Sequence, residues 1–379
     1  MCRTSKTTYL ILLIMKKYFA PGRVNFIGEH LDYNGGLVMP FCINSGIEAI
    51  VTERNDNHIS LSSSSHIQNF TFDINNLPDY DKTNEWSNYC LGVIKYLKSI
   101  GIPIPSVDIK LSSTLPEGSG LSSSAAIEVL IAFIILSESN TTSLSRKDIA
   151  VLCQKVENEF IGVKCGIMDQ YAIANGKVNF AILLDCEKIE HEMIPMDLDD
   201  YKILILNTNK PRSLIKSAYN ERKASCDESL HILKGKYPIE SLAKAEIEML
   251  SLLQDEVLLK RSKHVVSEQM RVKHIEKYLE NGDLFTVGKL LTASHFSLRD
   301  NYEVSCVELD TLVNSALSQE GCIGARMTGA GFGGCAIALV KSNKIEKFKE
   351  KVKEEYYNST SITCDIIETK AEEGVRRIY

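Results

Sequence analysis

The run Leu115-Pro116-Glu117-Gly118-Ser119-Gly120-Leu121-Ser122-Ser123-Ser124-Ala125-Ala126 leads from a Pro/Gly/Ser turn directly into Ala125 to Leu136, a stretch apolar nearly all round. A helix with no polar face is a buried helix. A Gly-rich turn that feeds its N-terminus presents free backbone N–H groups and the positive end of the helix dipole, which is an anion site whose usual occupant is phosphate. Three consecutive serines add hydroxyl donors and a possible metal ligand. The pattern G-x-x-x-x-G-K-[ST] is absent because no Lys stands in the loop, so this is a different phosphate loop. The competing reading is a serine N-cap on a tight turn.

With 379 residues the chain has room for two domains or one large one, at about 150 residues per domain. Strand-like segments dominate the first hundred residues: Leu37 to Ile43, Gly46 to Thr52 and an alternating His58 to Ser62. Ser62 to Ser65 reads as a loop. Glu85 to Ile100 has helical apolar spacing, Val107 to Leu111 alternates as a strand, and Asp148 to Phe160 is amphipathic. The pattern resets in His191 to Asp200, which is acidic and aperiodic. Tyr201 to Asn207 then reads as a strand, and charged helical patterns run from Ser213 to about Phe296. These features predict an α+β architecture of mixed sheets and helices, divided near 195–200 into halves 15–195 and 200–379.

Lys plus Arg is 43 and Asp plus Glu is 49, a net charge of −6 without a single-sign tail. That argues against a nucleic-acid wrapper or a membrane-surface binder. One Trp among 7% aromatics argues against a stacking platform for single strands. The eleven cysteines are odd in number and form no C-x-x-C, which fits reduced thiols in a cytoplasmic protein better than disulfides or a zinc site. Arg3, Lys6 and the apolar Tyr9 to Met15 resemble a signal peptide, but the run is too short to span a bilayer and no A-x-A site follows. Met15 reads as a natural start, with residues 1–14 an upstream extension.

Three further segments carry chemistry. Ala20-Pro21-Gly22-Arg23-Val24-Asn25-Phe26-Ile27-Gly28-Glu29-His30-Leu31-Asp32-Tyr33-Asn34-Gly35-Gly36 sets Arg, Glu, His and Asp among turn residues. Such a set suits a polyhydroxylated ligand, because carboxylates accept from sugar hydroxyls and Arg offsets charge on oxygen. The plainer reading is a polar turn with a surface ion pair. Gly162-Val163-Lys164-Cys165-Gly166-Ile167-Met168-Asp169-Gln170 places Asp169 after a Gly-bounded turn, as a base or as a salt-bridged structural Asp. Gly329-Ala330-Gly331-Phe332-Gly333-Gly334 satisfies G-x-G-x-x-G literally. A dinucleotide fingerprint opens a helix, whereas Cys335 to Val340 reads as a strand, so these glycines form a loop between strands and an NAD-linked oxidoreductase is rejected. Trp86 at helical spacing reads as core, with packing beside an adenine as the alternative.

The order of these motifs closely resembles the galactokinase branch of the GHMP small-molecule kinase family, from Ala20 to the C-terminus. The Glu-His-x-Asp-Tyr-Asn segment is specific to that branch, with Leu31 standing where the family usually has Thr. The resemblance implies a two-domain fold with the active site in the cleft between the halves. It implies transfer of the ATP γ-phosphoryl group to the anomeric hydroxyl of galactose, giving galactose 1-phosphate in galactose catabolism (the Leloir pathway). By resemblance, Glu29, His30, Leu31 and Asp32 fall in the sugar-binding run and Tyr219 is a further sugar contact. Asp169 matches the catalytic base and Arg23 its positive partner. Gly118, Ser119, Gly120, Leu121, Ser122, Ser123 and Ser124 match the phosphate loop. Ser124 and Glu157 match Mg²⁺ ligands, with Ser123 as the alternative to Ser124. An Asp beside Arg stays ionised and is a weak base, so Asp169 orients the hydroxyl and accepts its proton late. The partners implied are small molecules, galactose and ATP, with neither nucleic acid nor membrane, in a monomer or weak homodimer. N-acetylgalactosamine kinase and arabinose kinase share similar motifs. A non-catalytic galactose/ATP sensor is disfavoured because the serine loop and Asp169 are intact.

Overall fold

A computed structural model describes residues 15–116, 118–210 and 215–378, with the side chains of 215 and 216 left out. The expected upstream extension 1–14, Glu117 and the start of the helical pattern at Ser213 lie outside the described residues.

The first half runs β1 (Lys16–Asn25), β2 (Leu37–Val38), β3 (Pro40–Glu53), β4 (His58–Ser63), β5 (His66–Asp73), α1 (Ser87–Ser99), β6 (Val107–Ser113), α2 (Ser123–Glu138), α3 (Arg146–Lys155), a π-turn Val156–Ile161, α4 (Met168–Asn175), β7 (Phe180–Asp185) and β8 (Glu190–Pro195). The second runs β9 (Tyr201–Asn207), α5 (Ile215–Lys234), α6 (Glu256–Glu280), α7 (Leu284–Ser297), α8 (Val307–Ser318), β10 (Cys322–Thr328), β11 (Cys335–Lys341), α9 (Ile345–Thr360), β12 (Asp365–Thr369) and β13 (Arg376–Arg377).

The long β3 is rich in Ile, Val and Thr and is flanked antiparallel by β1 and β6. It lies inside a six-stranded sheet of order β13-β1-β3-β6-β4-β5. The apolar helix α2 is buried along nearly its whole length and packs on β1 and β3 and on α1, α3 and α4. That position explains its composition: each face meets a different neighbour, so none can be polar. A four-stranded sheet, β10-β11-β9-β12, carries the second half. The predicted glycine loop joins β10 to β11, and Thr328 pairs with Cys335 across it, so the G-x-G-x-x-G sits between strands as expected.

Three expectations need correction. The strand Leu37 to Ile43 is divided, because β2 pairs with β7 in a separate three-stranded sheet while β3 pairs with β1. Ser62 and Ser63 belong to β4, paired with Lys110 and Leu111, which leaves the turn to Ser64 and Ser65. The aperiodic segment after His191 contains most of β8, whose mostly exposed residues give no alternating pattern to read. Across the division expected near 195–200, Tyr18 pairs with Arg377 and Phe19 with Arg376, so β13 closes the open edge of β1. Among the described residues, no helix is long and apolar enough to cross a membrane, and no disulfide forms among the described cysteines.

Ile131 is fully buried on α2. Ile131→Ala is expected to cost about 2–5 kcal/mol in urea unfolding, through lost burial and a residual cavity. A cost under about 1 kcal/mol would show that α2 is not packed on all sides.

Candidate active site

The loop ahead of α2 is built as the glycines suggest. Gly118 and Gly120 take φ of 66° and 76°, and Ser122 takes φ of 63°, all in the left-handed region. The tight path delivers Ser123 as the first helical residue. Ser122 stands at the N-cap, yet its hydroxyl caps no helix N–H. It donates instead to Asp169 Oδ2. The simple capping reading thus fails, and the helix N-terminus has no side-chain cap, as an anion site requires.

Arg23 follows an irregularity in the β1–β3 register between Pro21 and Arg23, where the strand re-aims its side chains. Its guanidinium grips Asp169 with two bonds, Nε to Oδ1 at 2.8 Å and Nη2 to Oδ2 at 3.0 Å. Nη1 donates to the Gly120 carbonyl at 3.0 Å, so one side chain links β1, the phosphate loop and the first turn of α4. Burial opposes the charge on Arg23, but Asp169 and Glu29 more than offset it and raise the guanidinium pKa.

Glu157 lies in the π-turn after α3, a local distortion that recurs at functional sites. Burial, then the Asp169 charge, pushes its carboxyl up to about 7. Its neighbours hold it in place: Gln170 Nε2 donates at 2.6 Å, the Cys165 thiol lies at 3.4 Å, and Ser124 is hydrogen-bonded to it. Behind it sits the fully buried Glu128, 3.3 Å from the same Gln170 nitrogen and raised well above its ordinary pKa by burial and by Glu157. Among the described residues no group of three or more His, Cys, Asp or Glu is placed to hold a metal. Mg²⁺ needs only one or two protein oxygens, and Ser124 beside a carboxylate raised by burial and repulsion is a donor set that fits it.

In the sugar-type motif, Glu29 is almost wholly buried. Its Oε1 accepts from Thr328 Oγ1 at 2.9 Å and from Gly329 N at 2.7 Å, with Arg326 Nη2 at 3.3 Å. Its Oε2 accepts from Asn25 at 2.9 Å. Glu29 therefore fastens this motif to the late glycine loop. Asp32 lies against Gly166 so closely that a Cβ there would sit 2.0 Å from its Oδ2, which explains the glycine. Burial, then the charges of Asp169 and Glu29, raises Asp32 to about 7. His30 is held at φ 62°, and its ring lies among Tyr33, Tyr219 and Tyr302 at centroid distances of 4.6–5.8 Å.

These groups meet in one cleft of about 470 Å³. Arg23, Glu29, His30, Asp32, Gly118, Gly120, Ser122, Ser123, Ser124, Glu157, Asp169 and Tyr219 all line it, as do Gly329 and Ala330. Leu31, Ser119 and Leu121 do not. Leu31 and Leu121 are apolar and pack into the core, and Ser119 is buried, so their side chains are not part of the cleft wall. An adjoining cavity of about 240 Å³ shares Tyr89, Ser123 and Ser124 and is walled by Trp86, whose ring stacks on His66 at 5.6 Å. Sequence reasoning missed Gln170, Arg326, Thr328 and Tyr302. The first three lie inside or beside the motifs, whereas Tyr302 ends the π-turn Leu298–Tyr302, far along the chain from any of them.

Comparison with known proteins agrees with this geometry. The model for the galactokinase galactose-binding signature matches residues 16–53, that for the GHMP kinases N terminal domain residues 88–177, and that for the GHMP kinases C terminal domain residues 275–358. Galactokinase of Clostridium tetani is 46% identical over 346 residues, covering 90% of this chain and 88% of that protein. Galactokinase of Clostridium beijerinckii is 44% identical over 368 residues, covering 95% and 94%. The crystal structure of Lactococcus lactis galactokinase complexed with galactose matches with a TM-score of 0.93 at 39% identity, over 99% of each chain. With the sugar signature, both kinase halves and relatives of this similarity along nearly its full length, the chain belongs to the galactokinase family of GHMP kinases.

Proposed function

We propose a division of labour in the cleft of this ATP-dependent galactose kinase, carried by one observation: the Arg23–Asp169 pair stands where the phosphate loop and the sugar motif meet. Galactose lies against Asp32, His30, Tyr219 and the remaining acceptor lobe of Glu29 Oε2. Its anomeric hydroxyl points at Asp169. Oδ1 of Asp169 takes a single hydrogen bond, from Arg23, and so keeps an acceptor lobe for that hydroxyl, while Oδ2 is taken by Arg23 and Ser122. A carboxylate held in this way is fixed in orientation. It aligns the hydroxyl for in-line attack and takes the proton as the phosphoryl group transfers. Arg23 steadies the charge.

The triphosphate lies on the N–H groups from Gly118 to Ser124 and on the N-terminus of α2. The base lies in the smaller cavity beside Trp86 and Tyr89. Ser124 and Glu157 would hold Mg²⁺, which supplies charge neutralisation between the phosphates. Gln170 orients Glu157. The halves that frame the cleft are 15–195 with 371–377, and 200–370. Galactose in preference to its relatives, a monomer or weak homodimer, and a cytoplasmic location complete the reading.

Asp169→Asn is expected to reduce kcat by roughly 10²–10⁴-fold while leaving ATP affinity, measured by calorimetry, near the native value. A variant that keeps most of its kcat would remove Asp169 from this role. A pH test addresses the sugar contact. Asp32 has its pKa raised to about 7, so below that pH it is protonated and loses acceptor capacity for sugar hydroxyls. At saturating ATP and Mg²⁺, kcat/KM for galactose should rise as pH increases through about 7 and then level off. Asp32→Asn should lower kcat/KM and flatten the rise. A flat native profile would contradict the assignment.

A further inference from the structure

We propose that Tyr33 and Tyr302 fix the proton of His30 on Nε2, so that His30 is a hydrogen-bond donor aimed at an acceptor oxygen of the sugar. The inference rests on the reading of the cleft as the galactose site and adds positioning residues to it.

His30 is only 4% exposed, lines the cleft, and its Nε2 has no partner among the described residues. Its Nδ1 lies 2.9 Å from the Tyr33 hydroxyl. Tyr33 Oη lies 2.7 Å from Tyr302 Oη, which lies 3.2 Å from Cys226 Sγ. A single chain of protons therefore runs from a buried thiol to the imidazole, and each hydroxyl can donate only once. Tyr302 is itself clamped between His30 and His264, with both ring centroids at 4.6 Å.

The chain has two self-consistent directions. In one, Cys226 donates to Tyr302, Tyr302 to Tyr33, and Tyr33 to Nδ1, which leaves the proton on Nε2. In the other, every donor and acceptor is reversed and Nε2 is a bare lone pair. Two arguments select the first. An imidazole nitrogen is a far stronger base than a phenol oxygen, so O–H···N is the stronger central bond, and cooperativity carries its direction along the chain. Glu29, Asp32 and Asp169 line the same cleft, and their acceptor oxygens favour an N–H over a lone pair at Nε2. The ring is neutral: burial, then His264 and Arg222, lowers its pKa well below the ordinary value.

The consequence is a division of polarity in the sugar site. The carboxylates accept from hydroxyl protons, and His30 donates to an oxygen lone pair. Tyr302 comes from the second half of the chain, so its contact with Tyr33 lets a distant segment set which proton His30 presents.

The test is long-range ¹H–¹⁵N spectroscopy on histidine-labelled protein without sugar, with His30 assigned by its loss in His30→Asn. The expected result is a single tautomer protonated at Nε2. A proton on Nδ1 would overturn the proposal. Tyr33→Phe should give mixed tautomers and raise KM for galactose on the order of tenfold, with KM for ATP near native. An unchanged tautomer together with an unchanged galactose KM in this variant would also overturn it. Should Tyr33→Phe fail to fold, Tyr302→Phe, which keeps the Tyr33 donor, should broaden the Nε2 signal and raise galactose KM less, and the native spectrum alone remains decisive. Titration with galactose separates the two levels: a shift at His30 Nε2 tests the placement of the sugar, whereas the tautomer before addition tests the tyrosine chain.

Discussion

The two-pronged contact of Arg23 with Asp169 governs this cleft, because the cleft is otherwise crowded with negative charge. Glu29, Asp32, Glu157 and Asp169 all line one space, and burial in it disfavours the charged form of a carboxylate. Asp32 and Glu157 show the strain, each raised to about 7. All three guanidinium nitrogens of Arg23 are engaged, by Asp169 and the Gly120 carbonyl, so the counter-charge is fixed in place at the meeting of β1, the serine loop and α4. A mobile Lys would not fix both oxygens of the carboxylate in this way.

A second contact completes the frame. Glu29 accepts from Thr328 and Gly329, and Arg326 donates to the carbonyls of Asn25 and Phe26. These bonds tie β1 and the sugar motif to the end of β10 and the glycine loop. The loop tip in turn lies over the phosphate loop, where a Cβ at Gly329 would stand 3.4 Å from the Gly120 carbonyl. Segments some three hundred residues apart thus converge on the same few ångströms, and the return of β13 to β1 adds a further link between the chain's ends.

The elements with strong local signals were legible. The largely apolar α2, the helix after Glu85 and the strand–loop–strand around Gly329 follow from periodicity and turn residues. The exposed β8 and the divided Leu37 to Ile43 were not, because strand pairing there depends on a partner rather than on an alternating face. In the site, Arg23, Asp32, Asp169 and the serine loop stood out by residue type and family pattern. Leu31 and Leu121 were carried along by their place in a motif, although an apolar side chain between polar neighbours on a turn packs inward. Ser122 looked like a cap and proved to be a partner of Asp169.

The sequence by itself determined the chemistry available: a helix N-terminus behind a glycine turn, a dense set of sugar-type donors and acceptors, and an Asp on a turn, in an order that marks the family. Those are local properties, written in adjacent residues. Tertiary structure decided which oxygen faces which. It set the Arg23 grip on Asp169, the Gln170 bond to Glu157, the Glu29 tether to Gly329 and the tyrosine pair behind His30. Each joins groups from separate elements, and hydrogen-bond polarity and buried charge depend on distances of a few ångströms that spacing along a chain does not encode.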